Sequence, residues 1–163
     1  MRTPSAATRA AARTLGLALK FVGVDYGLAR TGLAVSDPEG RLAFPLVTVR
    51  LEDFSDRKAF LAALAERIVE AGAEAVVVGL PLTLDGEESL TTRQIRNVTE
   101  RLKRRVDLPF FFMMEALSSQ EAWSDLREAG LKMRKRKAVL DQQAAVRILS
   151  SFMSLAPQDR RPA

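Results

Sequence analysis

The sequence predicts an α/β fold, a mixed five-stranded central sheet with helices on both faces. Three observations carry this. Short apolar runs of strand character lie at 20–25, 31–36 and 43–49, close enough along the chain to pair as a meander. Two continuous apolar runs, 75–79 and 108–115, have the character of strands covered on both sides. Segments of helical periodicity separate and follow those two runs, an order that layers helices over both faces of one sheet.

The first strand, Lys20-Phe21-Val22-Gly23-Val24-Asp25, ends in a carboxylate. Tyr26 to Arg30 turns the chain into the second strand, and Asp37-Pro38-Glu39-Gly40 has the composition of a hairpin-type turn. Pro45 interrupts the third strand, which marks it as an edge or an irregular stretch. Asp56 is the expected N-cap of a helix whose Phe60, Leu61, Leu64, Ile68 and Val69 recur at helical spacing, and Gly72 closes it.

The run at 75–79 leads into an expected loop over 80–86 that contains Pro81. A helix over about 88–106 follows, with Ile95, Val98 and Leu102 on its inner stripe, and then the strand ending at Glu115. Ser118 and Glu121 form a capping-box pattern for a helix through 129. A basic run leads from there into a last helix over 138–155.

A length of 163 residues suits one domain with a single core. The expected division is a disordered basic leader over 1–19, a domain over 20–155 and a flexible tail over 156–163. Arg2, Arg9, Arg13 and Lys20 face no acid in the first 20 residues and supply four of the five net positive charges. The rest of the chain is nearly balanced, so the high overall charge is weak evidence for nucleic-acid binding. The leader has a transit-peptide-like composition, but a plain disordered arm suits it better. No apolar run approaches a membrane span and none makes a secretory signal, so no membrane partner is expected and the expected location is cytoplasmic.

Neither cysteine nor histidine occurs. That removes disulfides, zinc fingers, iron–sulfur ligation, thiolate nucleophiles and the Ser-His-Asp triad. Any metal must be held by oxygen, which favours magnesium, manganese or calcium. Three carboxylates stand out against that background. Asp25 and Glu115 end hydrophobic strands, where a buried charge needs a cation, a hydrogen-bond network or solvent. Asp141 starts the apolar stripe of Ala144, Ala145, Ile148, Leu149 and Phe152 on the last helix. Singly, each suits an ordinary structural role, Asp141 by complementing the helix dipole. Together, in a chain without histidine, they favour a cradle for divalent ions.

Around the acids lie candidate phosphate contacts: Lys132, Arg134, Lys135, Arg136 and Lys137 ahead of Asp141, and Arg30 near Asp25. The basic run also fits a plain solvated loop. Gly27, Gly79 and Gly86 are positions where backbone is able to approach a phosphate closely, or simply to turn tightly.

These residues resemble the YqgF family of RNase H-like nucleases, known as Holliday junction resolvases and pre-16S rRNA nucleases. The resemblance runs over about 21–152. It rests on Val24-Asp25-Tyr26-Gly27 with Arg30-Thr31-Gly32-Leu33-Ala34-Val35-Ser36-Asp37, on Val78-Gly79-Leu80-Pro81-Leu82 with Asp85-Gly86, and on Leu140-Asp141-Gln142-Gln143-Ala144-Ala145. It implies an RNase H-like fold, two-metal phosphodiester hydrolysis with Mg²⁺ or Mn²⁺ on Asp25, Glu115 and Asp141, and branched DNA or precursor rRNA as partner. It also allows a homodimer, which symmetric junction cleavage requires.

One motif departs from the family. Met114-Glu115-Ala116 stands where the family usually has Asp-Glu-Arg, so the ligand is kept while its acidic and guanidinium neighbours are lost. By strand alternation Met114 points away from Glu115. The departure motivates a second reading, a nucleic-acid-binding factor of ribosome maturation with little or no hydrolysis. A third, an actin-like ATP-binding protein, rests on the likeness of Asp25-Tyr26-Gly27 and Arg30-Thr31-Gly32 to a phosphate motif. The chain is short for the two lobes of that superfamily.

Overall fold

The protein's structure, a computed structural model, is described here over residues 19–82, 88–115 and 133–163, with 133–141 described as helix backbone alone. The expected helix over 118–129, the leader to residue 18, Gly86, Ala116 and Lys132 lie outside the described residues.

Strands β1 (Phe21–Asp25), β2 (Arg30–Ser36) and β3 (Ala43–Arg50) form the antiparallel meander, joined by tight turns. In the second turn the Gly40 amide donates to Asp37 O at 3.1 Å, and Gly40 takes φ +69°, a conformation that glycine adopts without steric cost. Asp37 Oδ1 also accepts from the Arg41 and Leu42 amides, at 2.7 and 2.8 Å. β3 is an edge strand, as Pro45 implies, and its register on β2 shifts between Leu33 and Ala34, opposite Val47 and Pro45.

Helix α1 (Arg57–Glu70) starts at Asp56, whose side chain accepts from the Ala59 amide at 2.8 Å. β4 (Ala75–Pro81) then lies parallel to β1. It runs two residues further than the apolar pattern indicated, because buried Leu80 and exposed Pro81 still pair with β5. Helix α2 (Leu90–Arg105) opens with a reciprocal Ser89–Thr92 capping box, and β5 (Phe110–Glu115) returns parallel to β4.

Helix α3 (Met133–Met153) begins five residues earlier than the sequence suggested. Arg134, Lys135, Arg136 and Lys137 are therefore its opening turns and not a loop. Lys, Arg and Met are strong helix formers, and no glycine or proline falls between 133 and 153.

Two further expectations are corrected. Residues 156–163 form a short 3₁₀ turn and a two-residue strand β6 (Arg161–Pro162) antiparallel to β5, not a flexible tail. The Ala163 amide donates to Phe110 O at 2.8 Å, and Arg160 lies over the rings of Phe21 and Phe152, at 5.4 and 4.9 Å. Leu19, assigned to the leader, is buried with Phe21 and Ala34. The sheet thus has six strands in the order β3-β2-β1-β4-β5-β6, the five expected plus β6.

Strand alternation sorts the core into two layers. Val22, Val24, Leu33, Val76, Val78, Phe110 and Phe112 face α1 and α2. Phe21, Ala34, Ala75, Val77 and Phe111 face α3. On the α3 side Phe152 packs between Phe21 and Phe111, with ring centroids 5.4 and 5.2 Å away. Truncating such an aromatic to alanine costs about 3–5 kcal/mol. No helix among the described residues is long and apolar enough to cross a membrane.

Candidate active site

β1, β4 and β5 are mutually parallel, so their C-terminal ends share one edge of the sheet. Asp25 is the last residue of β1 and Glu115 the last of β5. Alternation puts both on the α3 face: Asp25 follows Phe21 and Gly23 at every second position, and Glu115 follows Phe111 and Met113. Both acids are half-buried. One strand, β4, separates them, so they stand two strand spacings apart, about 10 Å across the sheet.

The direction of α3 follows from its contacts. Phe152 touches Phe21, while Leu149 and the Ala145 carbonyl lie against Gly23. Going back along the helix therefore means going forward along β1. From Gly23 to Asp25 is two strand residues, about 6.6 Å. From Ala145 to Asp141 is one helical turn, about 6 Å. The α3 backbone thus carries Asp141 to the same edge and face as Asp25 and Glu115, while its side chain lies outside the described residues. Gln142 Nε2, one residue on, donates to Thr48 Oγ1 of β3 at 3.2 Å and ties this part of the helix to the sheet. Among the described residues no three acidic side chains form a metal-binding group.

The turn after Asp25 is braced from the other side of the sheet. Tyr26 is buried, and its hydroxyl accepts from Arg57 Nη1 at 2.7 Å. Arg57 Nη2 reaches Leu28 O at 3.5 Å, and the Leu51 amide donates to Ala29 O at 2.8 Å. Gly27 is required by this turn, since a β-carbon there would stand 2.5 Å from Arg30 O. Arg30 opens β2 on the α3 face, in alternation with Gly32 and Ala34. Arg57 and Tyr26 were not singled out as site residues from sequence. Their only signal was adjacency to Asp25 for one and a helix start for the other.

Gly79 corrects an expectation. It is buried within β4 beneath Ile148, whose side chain a β-carbon would strike, so its small size serves the seating of α3 and not the approach of a phosphate. Met114, by contrast, points away from Glu115 as alternation requires, and its sulfur accepts from Arg161 Nη1 at 3.7 Å on the α2 side.

Comparison with known proteins adds to this geometry. A family model described as RuvX: Holliday junction resolvase matches residues 19–155. A protein of Oleidesulfovibrio alaskensis named "Putative pre-16S rRNA nuclease" is 54% identical over 143 residues, 88% of this chain and 96% of the relative. A protein of Nitratidesulfovibrio vulgaris with the same name is 54% identical over 145 residues, covering 89% of this chain and 100% of the relative. Among solved structures, Thermus thermophilus RuvC in complex with a Holliday junction substrate superposes with a TM-score of 0.55 at 15% identity. That match covers 89% of this chain and 99% of RuvC, and it shows a shared fold, the RNase H-like sheet with its flanking helices. Order of strands, placement of motifs and matched length agree: the chain belongs to the RuvX family, the YqgF-type group that its sequence motifs resemble.

Proposed function

We propose that the protein is a divalent-metal-dependent nuclease that hydrolyses phosphodiester bonds in structured nucleic acid, with precursor 16S rRNA as its substrate. The observation that carries this reading is the pairing of Asp25 and Glu115 on one face and one edge of the sheet, under the helix that bears Asp141. Three carboxylates without sulfur or imidazole suit Mg²⁺ or Mn²⁺, which take oxygen ligands and retain several waters. When bound, such ions polarise the phosphate, lower the pKa of an attacking water and stabilise the leaving oxygen.

The chain's own residues have distinct tasks in this mechanism. Asp25, on the central strand β1, would hold the divalent ions through its carboxylate oxygens together with Glu115 and Asp141. Three acids repel a phosphate backbone, so nearby cations are needed to admit it. Arg30 and the opening turns of α3 at Arg134, Lys135, Arg136 and Lys137, with Lys132 ahead of them, are the candidates. Gly27 allows the tight turn that brings Arg30 back beside Asp25.

Precursor rRNA is favoured over a DNA junction because relatives at 54% identity carry that name, whereas the junction-bound RuvC is only 15% identical. A junction substrate would further require a two-fold homodimer for symmetric cleavage. The second reading, an RNA-binding factor without turnover, draws on Met114 and Ala116 in place of the family's acid and arginine.

The test is a cleavage panel of pre-16S rRNA, four-way junction and single-stranded DNA with Mg²⁺ or Mn²⁺, comparing the parent with Asp25→Asn. We expect the parent to cleave the rRNA precursor. The variant should lose more than the roughly 10–100-fold typical of an outer-shell change at a metal site, while still binding RNA. Equal cleavage by the variant would overturn the site, and RNA binding by the parent without turnover would establish the second reading.

A further inference from the structure

The near-neutral charge balance of the domain conceals a local concentration. Helix α2 carries Arg93, Arg96, Arg101, Lys103, Arg104 and Arg105 against a single acid, Glu100. Arg93, Arg101, Arg104 and Arg105 are exposed. Arg96 lies over the Phe112 ring, 5.1 Å from its centroid, and pairs with Glu88, while Lys103 pairs with Glu100 at 3.4 Å. The helix dipole accounts for bases in the last turn, but it disfavours Arg93 close to the start, where no acid occupies the first turn.

The placement of α2 gives the charge a direction. Thr92 Oγ1, in the first turn, donates to Pro81 O at 2.7 Å, and Pro81 is paired with Glu115. The start of α2 is therefore at the edge that bears the candidate acids. Its far end leads through Val106 to the beginning of β5, at the opposite edge. Sixteen helical residues span about 24 Å between the two. Exposed Arg161, delivered by β6 against Met114, adds a cation beside the residue that precedes Glu115.

From this arrangement we infer that the outer face of α2, extended by Arg161, is a phosphate-binding track for structured RNA that leads to the acidic edge. The occupant follows from charge complementarity: a row of exposed guanidinium groups suits successive backbone phosphates, and it carries no base-reading pattern. The choice of RNA rests on the function proposed above, and the track deepens that reading by assigning a substrate contact outside the cluster near Asp141.

The experiment measures the salt dependence of binding to an RNA stem-loop from the precursor, with cleavage recorded in parallel. Each phosphate contact contributes about 0.7–0.9 to the slope of log K against log salt. The variant Arg93→Gln/Arg101→Gln/Arg104→Gln/Arg105→Gln should lower the slope by about 2–4 and weaken binding roughly 10–100-fold. It should raise KM for the RNA and leave kcat unchanged. The corresponding Arg→Lys set, which keeps the charge, should keep the slope. Should the quadruple variant fail to fold, Arg101→Gln alone lowers the slope by about 1.

An unchanged slope in a folded variant, or a fall seen with junction DNA and not with RNA, overturns the track while leaving the nuclease reading in place. Conversely, a parent protein with an α2-dependent slope and no turnover would sink the nuclease reading and leave the track standing.

Discussion

Gly23 lies directly beneath Leu149: a β-carbon on the glycine would stand 2.9 Å from Leu149 Cβ and 3.0 Å from the Ala145 carbonyl oxygen. Neither neighbour is the free end of a side chain, so α3 itself would have to move. At Gly79 the obstacle is the tip of the Ile148 side chain, which is able to rotate. We expect Gly23→Ala to cost about 1–3 kcal/mol, the usual cost of overpacking, and Gly79→Ala to cost less. Ile148→Val should relieve Gly79→Ala and leave Gly23→Ala unrelieved. Because α3 carries Asp141, Gly23→Ala should also reduce cleavage more than its loss of stability explains. Urea unfolding and single-turnover cleavage of the same variants check both.

Thr31 is fully buried on β2, and its hydroxyl has no hydrogen-bond partner among the described residues. A buried polar atom left unsatisfied costs about 1–3 kcal/mol. Replacing it with valine keeps the β-branched shape suited to a strand and removes that cost. Thr31→Val should therefore raise the thermal midpoint, and a lower midpoint in calorimetry would contradict this account.

Asp37 is held below the ordinary carboxyl pKa by hydrogen bonds from the Leu42 and Arg41 amides. Its folded-state pKa is depressed, so its contribution to stability is present above the unfolded-state pKa and fades as pH falls through the folded value. Asp37→Ala should be less stable than the parent at neutral pH, with the gap narrowing in the acid range below the ordinary carboxyl pKa. Thermal melts at a series of acidic pH values measure the gap.

Arg160 lies over the adjoining rings of Phe21 and Phe152, and burial lowers its pKa from the ordinary guanidinium value. Cation–π contacts contribute about 0.5–2 kcal/mol each, so Arg160→Ala, which removes two, should destabilise the protein by about 1–4 kcal/mol. The same change should raise amide exchange at Phe112, which is paired with Arg161 and faces β6 as the Phe110 carbonyl does. Exchange rates equal to the parent's would show that β6 holds without this contact.

Much of the fold was legible in the sequence because the signals were local. Asp56 and Gly72 bracket α1, Pro45 marks the edge strand, and alternation fixes Met114 opposite to Glu115. The start of α3 was misread because a run of cations masks the apolar spacing by which a helix is recognised. Strand β6 was missed because two residues carry no periodicity; its pairing depends on the free edge of β5 and on Arg160 finding Phe21 and Phe152.

The candidate site divides along the same line. By itself the sequence determined the chemistry available: oxygen ligands only, acids at the ends of two apolar strands, and a third at the start of a helical stripe. Only the tertiary structure decided that β1, β4 and β5 end at one edge, that α3 runs back over Asp25's side of the sheet, and that the cations of α2 point along the other. Those relations depend on which strands pair and which way a helix crosses them. They are set by contacts between residues distant in sequence, from Val76 with Phe110 to Gly23 with Leu149, and no local pattern encodes them.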